Sequence, residues 1–211
     1  MASEQIRPAE IETKAHRTAY IAMRRTVGFF ARNMADSHRE GEDKSMKYKV
    51  VGKQENSKLC LVCGMQNDFG LKASFYELEN GELVALFKTM DEHQSYPERL
   101  HGGVTGAVLD ETIGRAIMIK DKKVWGVTID LDISYKKPIP LNTELKAVGR
   151  ITKDGRIFEG TGELLLPGGE IAATAHGRYM KLPIEKITDI NHKDMNWQVI
   201  LSEEDPREIE L

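Results

Sequence analysis

Apolar and small residues recur along the chain with changing period, and each period predicts an element. Between about Glu12 and Ser37, Ala15, Ala19, Ala22, Met23, Thr26, Phe30, Ala31 and Met34 return at steps of three and four, with Arg17, Arg24, Arg25 and Arg32 mostly elsewhere around the turn. That spacing predicts an amphipathic helix. Basic amphipathic helices can lie on membranes. Here the apolar stripe is modest and alanine-rich, which fits docking on the domain or on a second subunit better. The polar run near residues 39–45 predicts a loop.

Further along, Leu71, Ala73 and Phe75 alternate with polar or amphipathic positions, Asn80-Gly81 is a strong turn signal, and Leu83 to Thr89 predicts the returning strand of a hairpin. Residues 91–100 are too polar, and too broken by Pro97, to continue it. A helical period then runs from Gly103 to about Arg115, although Gly106 and Gly114 weaken its propensity. This helix is mostly apolar or small all round, so it is expected to be central and tightly covered. Its charges, Asp110, Glu111 and Arg115, are the anomaly to explain. Next, VWGVTIDLDISY sets Val127, Ile129, Leu131, Ile133 and Tyr135 against Thr128, Asp130, Asp132 and Ser134, the alternation of a strand with one polar face. Three more strand-like runs follow, separated by Lys153-Asp154-Gly155 and Pro167-Gly168-Gly169. A central helix between a hairpin and four successive strands predicts an α+β layer, with an antiparallel sheet wrapped on the helix. Beyond Pro183, Trp197, Val199, Ile200 and Leu201 are the expected anchors of an acidic, partly loose tail.

The 211 residues, 40% hydrophobic and 30% charged with a mean hydropathy of -0.43, suit one well-buried domain with appendages. They exclude a collagenous, mucin-like or wholly disordered chain. No 18-residue apolar stretch is present, so no membrane span is expected. The start, MASEQIRPAEIETK, lacks an apolar signal-peptide core, which makes a cytoplasmic location the expectation. A net charge of -3 and a pI near 6.1 argue against nucleic-acid binding. The charge is uneven: Lys and Arg predominate over residues 1–49 and Asp and Glu over residues 183–211, so the two ends could contact each other or a partner subunit.

The two cysteines, Cys60 and Cys63, form a C-x-x-C pair. Such a pair can be a redox dithiol or half of a zinc site, but a second pair is lacking. His93, His101 and His176 could complete a site, or two subunits could pool their cysteines, although no spacing requires either. The simplest expectation is structural: two small side chains pinning a turn ahead of a strand.

His101-Gly102-Gly103 at a helix start offers backbone N–H groups without internal acceptors, at the end whose dipole favours negative charge. Glycine lets a carbonyl approach closely, so such a terminus can act as an oxyanion hole or be simply a capped helix start. Asp110 follows Gly103 by seven residues, about 700° of helical rotation, and so shares its face while lying about 10 Å farther along the axis. A carboxylate there cannot readily act on a carbonyl held at its own helix start. Two such helices packed antiparallel across a two-fold axis would bring Asp110 of one chain to Gly102 and Gly103 of the other. A catalytic reading therefore implies a dimer.

From Lys58 to Leu182, the C-x-x-C-G turn, NDFGL, LHGG followed by VLDE, and VWGVTIDLDISYKKPIPL together resemble the hot-dog-fold acyl-CoA thioesterases, particularly the phenylacetate-pathway branch. The resemblance implies a long helix wrapped by a strongly curved antiparallel sheet, with paired subunits, possible dimers of dimers and composite active sites. It divides the chain into an N-terminal helical extension (1–57), a hot-dog domain (58–182) and an acidic C-terminal tail (183–211). It implies that Asp110 activates water or attacks the thioester, that Gly102 is the oxyanion donor with His101 shaping its loop, and that Thr128 stands near the carboxylate and water. Gly103 would join the substrate-binding helix start. Ser95 lies where some relatives carry an amide side chain contacting substrate or water, a departure bearing on substrate type. Lys136 and Lys137 could meet CoA phosphates or the dimer surface, or be an ordinary solvated strand end. Glu111 is the competing acid, turned 100° from Asp110; it could instead bond to backbone or a basic partner.

The expected reaction is hydrolysis of an acyl-CoA thioester to a carboxylic acid and CoA, with no metal or redox cofactor, coenzyme A being part of the substrate. A noncatalytic acyl-CoA sensor or scaffold on the same fold is the alternative. A hot-dog dehydratase fits less well, because the expected pairing of a site histidine with an acid is missing.

Overall fold

The computed structural model describes residues 46–189 and 197–211. The helix expected over Glu12–Ser37 lies outside them. The described residues form one α-helix, α1 (Gly102–Ala116), and eight strands: β1 (Lys47–Lys53), β2 (Ser74–Leu78), β3 (Leu83–Lys88), β4 (Trp125–Tyr135), β5 (Glu144–Lys153), β6 (Ile157–Leu165), β7 (Ile171–Leu182) and β8 (Glu208–Glu210). All pair antiparallel in one sheet, in the order β4-β7-β6-β5-β3-β2-β1-β8. Gly81, at φ +84°, turns the β2–β3 hairpin, and Gly169, at φ +83°, turns β6 into β7; an L side chain rarely adopts either conformation.

α1 packs against β3, β4, β5, β6 and β7. Five strands about 4.8 Å apart span more than the diameter of one helix, roughly 10 Å, so the sheet must curve for all of them to reach it. Small residues make the approach possible. The inward positions of β6 are Phe158, Gly160, Gly162 and Leu164, and those of β7 are Ala173, Ala175, Gly177 and Tyr179. Ile113 of α1 fills the hollow left by the two β6 glycines: a Cβ built on Gly160 would lie 2.5 Å from Ile113 Cγ2, and one on Gly162 2.9 Å from Ile113 Cγ1. On β5, a Cβ at Gly149 would meet the Thr112 carbonyl oxygen at 2.8 Å. Leu109, Ile113 and Ile117 are wholly buried against this floor with Phe75, Leu83, Phe158 and Tyr179.

A second apolar cluster (Tyr76, Leu78, Val84, Val148, Leu165 and Ile209) explains why Leu83, Val84 and Ala85 form an unbroken buried run in β3. It also corrects the expected partition. β1 pairs with β2 through Val50, Gly52 and Lys53, and with β8 through Lys47, Tyr48 and Lys49, so two strands of the sheet come from outside 58–182. Within the C-terminal segment Ile209 is buried at 3% exposure, whereas Leu201 and Val199, two of the expected anchors, are exposed. Three residues of strand with one apolar side chain are too short a pattern to detect by periodicity.

Candidate active site

α1 starts at a well-made cap. His101 has extended backbone, and its Nδ1 accepts the Gly103 N–H at 2.8 Å while its carbonyl accepts from Val104 and Thr105. The Gly103 amide is thereby already engaged. That corrects its expected part in holding substrate: the ring of His101 lies where a ligand oxygen would have to be. Gly102 occupies the first helical position, whose N–H has no acceptor within the helix. Its carbonyl oxygen accepts from the Tyr135 hydroxyl at 2.8 Å, which pins the helix start to the end of β4.

Asp110 sits two turns along the same helix and accepts a hydrogen bond from Thr128 Oγ1 at 2.9 Å. A bulge makes this contact possible. In the β4–β7 ladder Thr128 faces Tyr179 and Asp130 faces Arg178, so Ile129 is an extra residue. The slip moves Thr128 onto the face of Leu131, Ile133 and Tyr135, which lie opposite Gly177, Ala175 and Ala173. Simple alternation places Ile129 on the inner face and Thr128 outside; instead Ile129 is 44% exposed and Thr128 meets α1. Burial raises the Asp110 carboxyl above its ordinary range, hydrogen bonds from Thr128 and Tyr179 hold that rise back, and the charge of Glu111 adds to it. The Tyr179 hydroxyl, itself pushed up by burial, donates to the Asp110 carbonyl oxygen at 3.3 Å.

Asp110 and Thr128 line a cleft of about 230 Å³ with Met118, Trp125 and Trp197 among its walls. Trp197 stands edge-on to Trp125 at 4.6 Å between ring centroids. Glu111 also borders the cleft but is engaged elsewhere: Oε1 accepts from Arg115 Nε at 2.9 Å and Oε2 from Cys60 Sγ at 3.0 Å. Arg115, 5% exposed, additionally donates to the Glu55 carbonyl at 3.0 Å and to Cys63 Sγ at 3.1 Å, and its guanidinium lies over Phe75 and Trp197. The basic partner of Glu111 is thus Arg115, one turn along, whereas Asp110 enters no ion pair among the described residues.

The remaining expected residues disperse. Ser95 is exposed in a tight loop, its N–H donating to the Arg99 carbonyl at 2.9 Å, and it does not line the cleft. Lys137 pairs with Glu170, which corrects its expected availability to phosphate; the turn into β7 holds both together. Lys136 is exposed and carries no ion pair among the described residues. None of the three histidines joins the cysteines. Buried His93 accepts the Met90 N–H and donates Nε2–H to the Phe69 carbonyl, His101 caps α1, and His176 lies on the outer face 3.8 Å from Glu159. Tyr135, Arg115 and Trp197 were not anticipated as parts of the site. The first could be found only by its register on β4, and the other two only through long-range packing.

Comparison with known proteins accords with this architecture. Residues 98–157, which hold the helix cap, α1, β4 and β5, match the family model described as thioesterase superfamily. A solved thioesterase superfamily protein superposes with a TM-score of 0.55 at 18% identity, over 82% of this chain and 81% of its own. The described residues have the hot-dog fold. Human acyl-coenzyme A thioesterase 13 is 26% identical over 101 residues, 48% of this chain and 72% of the human protein, and the Pongo abelii protein of the same name matches equally. The mouse protein of that name is 28% identical over 75 residues, 36% of this chain and 54% of its own. In the hot-dog domain, the central helix and the strand bearing Thr128 both fall inside the family match. No described helix is long and apolar enough to cross a membrane.

Proposed function

We propose that the protein hydrolyses an acyl-CoA thioester to a carboxylic acid and CoA, and that each active site is shared between two copies of the chain. The observation that carries this reading is the Asp110–Thr128 pair in the cleft beside β4. A partly buried carboxyl whose proton affinity is raised is a better general base near neutral pH than an ordinary aspartate. The threonine hydroxyl orients it and, with it, a water molecule. That water adds to the thioester carbonyl as Asp110 takes its proton; the oxyanion is held at the Gly102 N–H; collapse expels the CoA thiolate, which recovers a proton.

The two parts of the machinery lie at opposite ends of one helix. Thr128 marks the Asp110 end of β4 and Tyr135 marks the Gly102 end. β4, 11 residues long, is also an edge of the sheet formed by the described residues. Long unpaired edges invite another strand. An antiparallel pairing of β4 with its copy, centred midway between Thr128 and Tyr135, sets the Asp110 end of one helix beside the Gly102 end of the other. This assembly fits a cytoplasmic enzyme using coenzyme A only as part of its substrate.

Complementation tests the composite site. Gly102→Pro removes the N–H while suiting the first helical position: His101 is already extended, and a Cβ there meets Tyr135 no closer than 3.5 Å. Asp110→Asn and Gly102→Pro should each abolish thiol release from acyl-CoA. Mixed dimers of the two would regain one intact site in two, about a quarter of wild-type turnover in a statistical mixture. Failure to recover would disprove sharing of the site. Tight acyl-CoA binding by the wild type, with no thiol released from aryl, short-chain or long-chain thioesters, would establish the noncatalytic sensor instead.

A further inference from the structure

The Cys60–Cys63 turn takes no part in that chemistry, yet it is built with more precision than a simple turn needs. Cys60 Sγ accepts two backbone hydrogen bonds, from Val62 at 3.2 Å and Cys63 at 3.4 Å, and the Gly64 N–H donates to the Cys60 carbonyl at 2.9 Å. Any side chain at Gly64 is excluded, since its Cβ would lie 2.3 Å from that carbonyl oxygen. Both sulfurs are thus turned toward α1 and the Glu111 carboxylate: one ligand atom from each of Cys60, Cys63 and Glu111 can be chosen so that all lie within 4.8 Å of one another. The cysteines are free thiols, and Cys63 is wholly buried.

We propose that Cys60, Cys63 and Glu111 bind a thiophilic divalent cation of the zinc class, with the fourth position open to the cleft. Two sulfurs and one carboxylate suit zinc, whereas magnesium and calcium require an all-oxygen shell. With Zn–S bonds of about 2.3 Å, tetrahedral sulfurs stand roughly 3.8 Å apart, so closing the site asks for a contraction of about 1 Å or less. The Cys60 thiol proton now directed at Glu111 Oε2 leaves for solvent, as does that of Cys63, and the cation takes their place. Two thiolates and a carboxylate around a dication leave one negative charge. Arg115 balances it, already bonded to Glu111 Oε1 and Cys63 Sγ and leaving Oε2 for the metal. Ser57 supports both cysteines, its Oγ lying 3.4 Å from Cys63 Sγ and accepting the Cys60 N–H at 3.1 Å. Partners of this kind orient metal ligands. The bound cation would clamp the turn to α1 one residue beyond Asp110.

The test uses the full chain, purified under reducing conditions without chelator. Elemental analysis should find one zinc per chain. After stripping with a chelator, thermal unfolding should move to lower temperature, and titration with Co²⁺ should give tetrahedral visible bands and a thiolate charge-transfer band saturating at one equivalent. Glu111→Gln, which keeps the shape of the side chain, should weaken Co²⁺ binding at least tenfold. Cys60→Ser and Cys63→Ser should each reduce the charge-transfer intensity. The proposal is overturned if zinc is absent and Co²⁺ gives no charge-transfer band, if the bands persist unchanged in the folded Glu111→Gln protein, or if a Cys60–Cys63 disulfide remains under these conditions. All of these readings are made without substrate.

Discussion

Replacing Thr128 by valine keeps the β-branched shape on β4 and removes one interaction, the 2.9 Å hydrogen bond to Asp110 Oδ1. A hydrogen bond to a charged acceptor contributes about 1.5–3 kcal/mol. Thr128 is exposed in the single chain, where water can partly replace it, so the lower end applies. At about 1.36 kcal/mol per pH unit, that corresponds to roughly one unit in the proton affinity of Asp110. The bond favours the ionised carboxylate, so its loss raises a group already raised by burial. A general base works only when ionised. Activity is therefore lost as pH falls through the Asp110 titration, and in Thr128→Val that acid limb should move to higher pH by about one unit. The assay is thiol release from acyl-CoA, with kcat/KM recorded from acid to neutral pH. An acid limb that stays in place, or moves to lower pH, would refute the assignment of Asp110 as the titrating base.

Asp110→Asn should lose turnover yet gain stability near neutral pH. A carboxyl with a raised folded-state proton affinity loses stability as pH rises from the unfolded through the folded titration, so the gain should fade in acid; melting temperatures across pH measure it. Arg115→Met should destabilise the fold by about 3–5 kcal/mol in urea denaturation, because it leaves Glu111 without its buried cationic partner. Gly160→Ala forces a methyl against Ile113 Cγ2 and should cost about 1–3 kcal/mol by the same measurement. Deleting Ile129 should close the bulge with Thr128 still opposite Tyr179 on the inner face, so thiol release should persist while circular dichroism retains the sheet.

The central helix and the four later strands are legible in the sequence because their signals are local. The helical period expected from Gly103 to about Arg115 appears as Gly102–Ala116, and the turns at Asn80-Gly81 and Pro167-Gly168-Gly169 lie where their residues put them. Asp110 stood out as an acid on an otherwise apolar helix, and the family resemblance linked Thr128 to it. The bulge between them is hidden because Val127, Ile129, Leu131 and Ile133 alternate straight through it; ladder register, not side-chain polarity, reveals the extra residue. β1 and β8 escaped because they meet across more than 150 residues, and three residues of strand carry no period. The basic partner of Glu111 is readable as an i, i+4 pair. The union of that pair with Cys60 and Cys63 is not, since it depends on where a distant turn comes to rest against the helix.

Ile113 lies three residues, nearly one turn, beyond Asp110, and its branched side chain occupies the hollow left by Gly160 and Gly162. A branched knob in a two-glycine socket resists sliding along the helix axis as well as separation from the sheet. The next equivalent position along α1 is about 5.4 Å away. Asp110 therefore inherits its axial coordinate from a packing detail on the strand behind it. Misplacing a reacting group by about 1 Å can cost roughly a hundredfold in rate. Substitutions that reshape this socket should accordingly depress turnover by more than their cost in stability accounts for, making the glycines of β6 a register mark for the chemistry as much as a floor for the core.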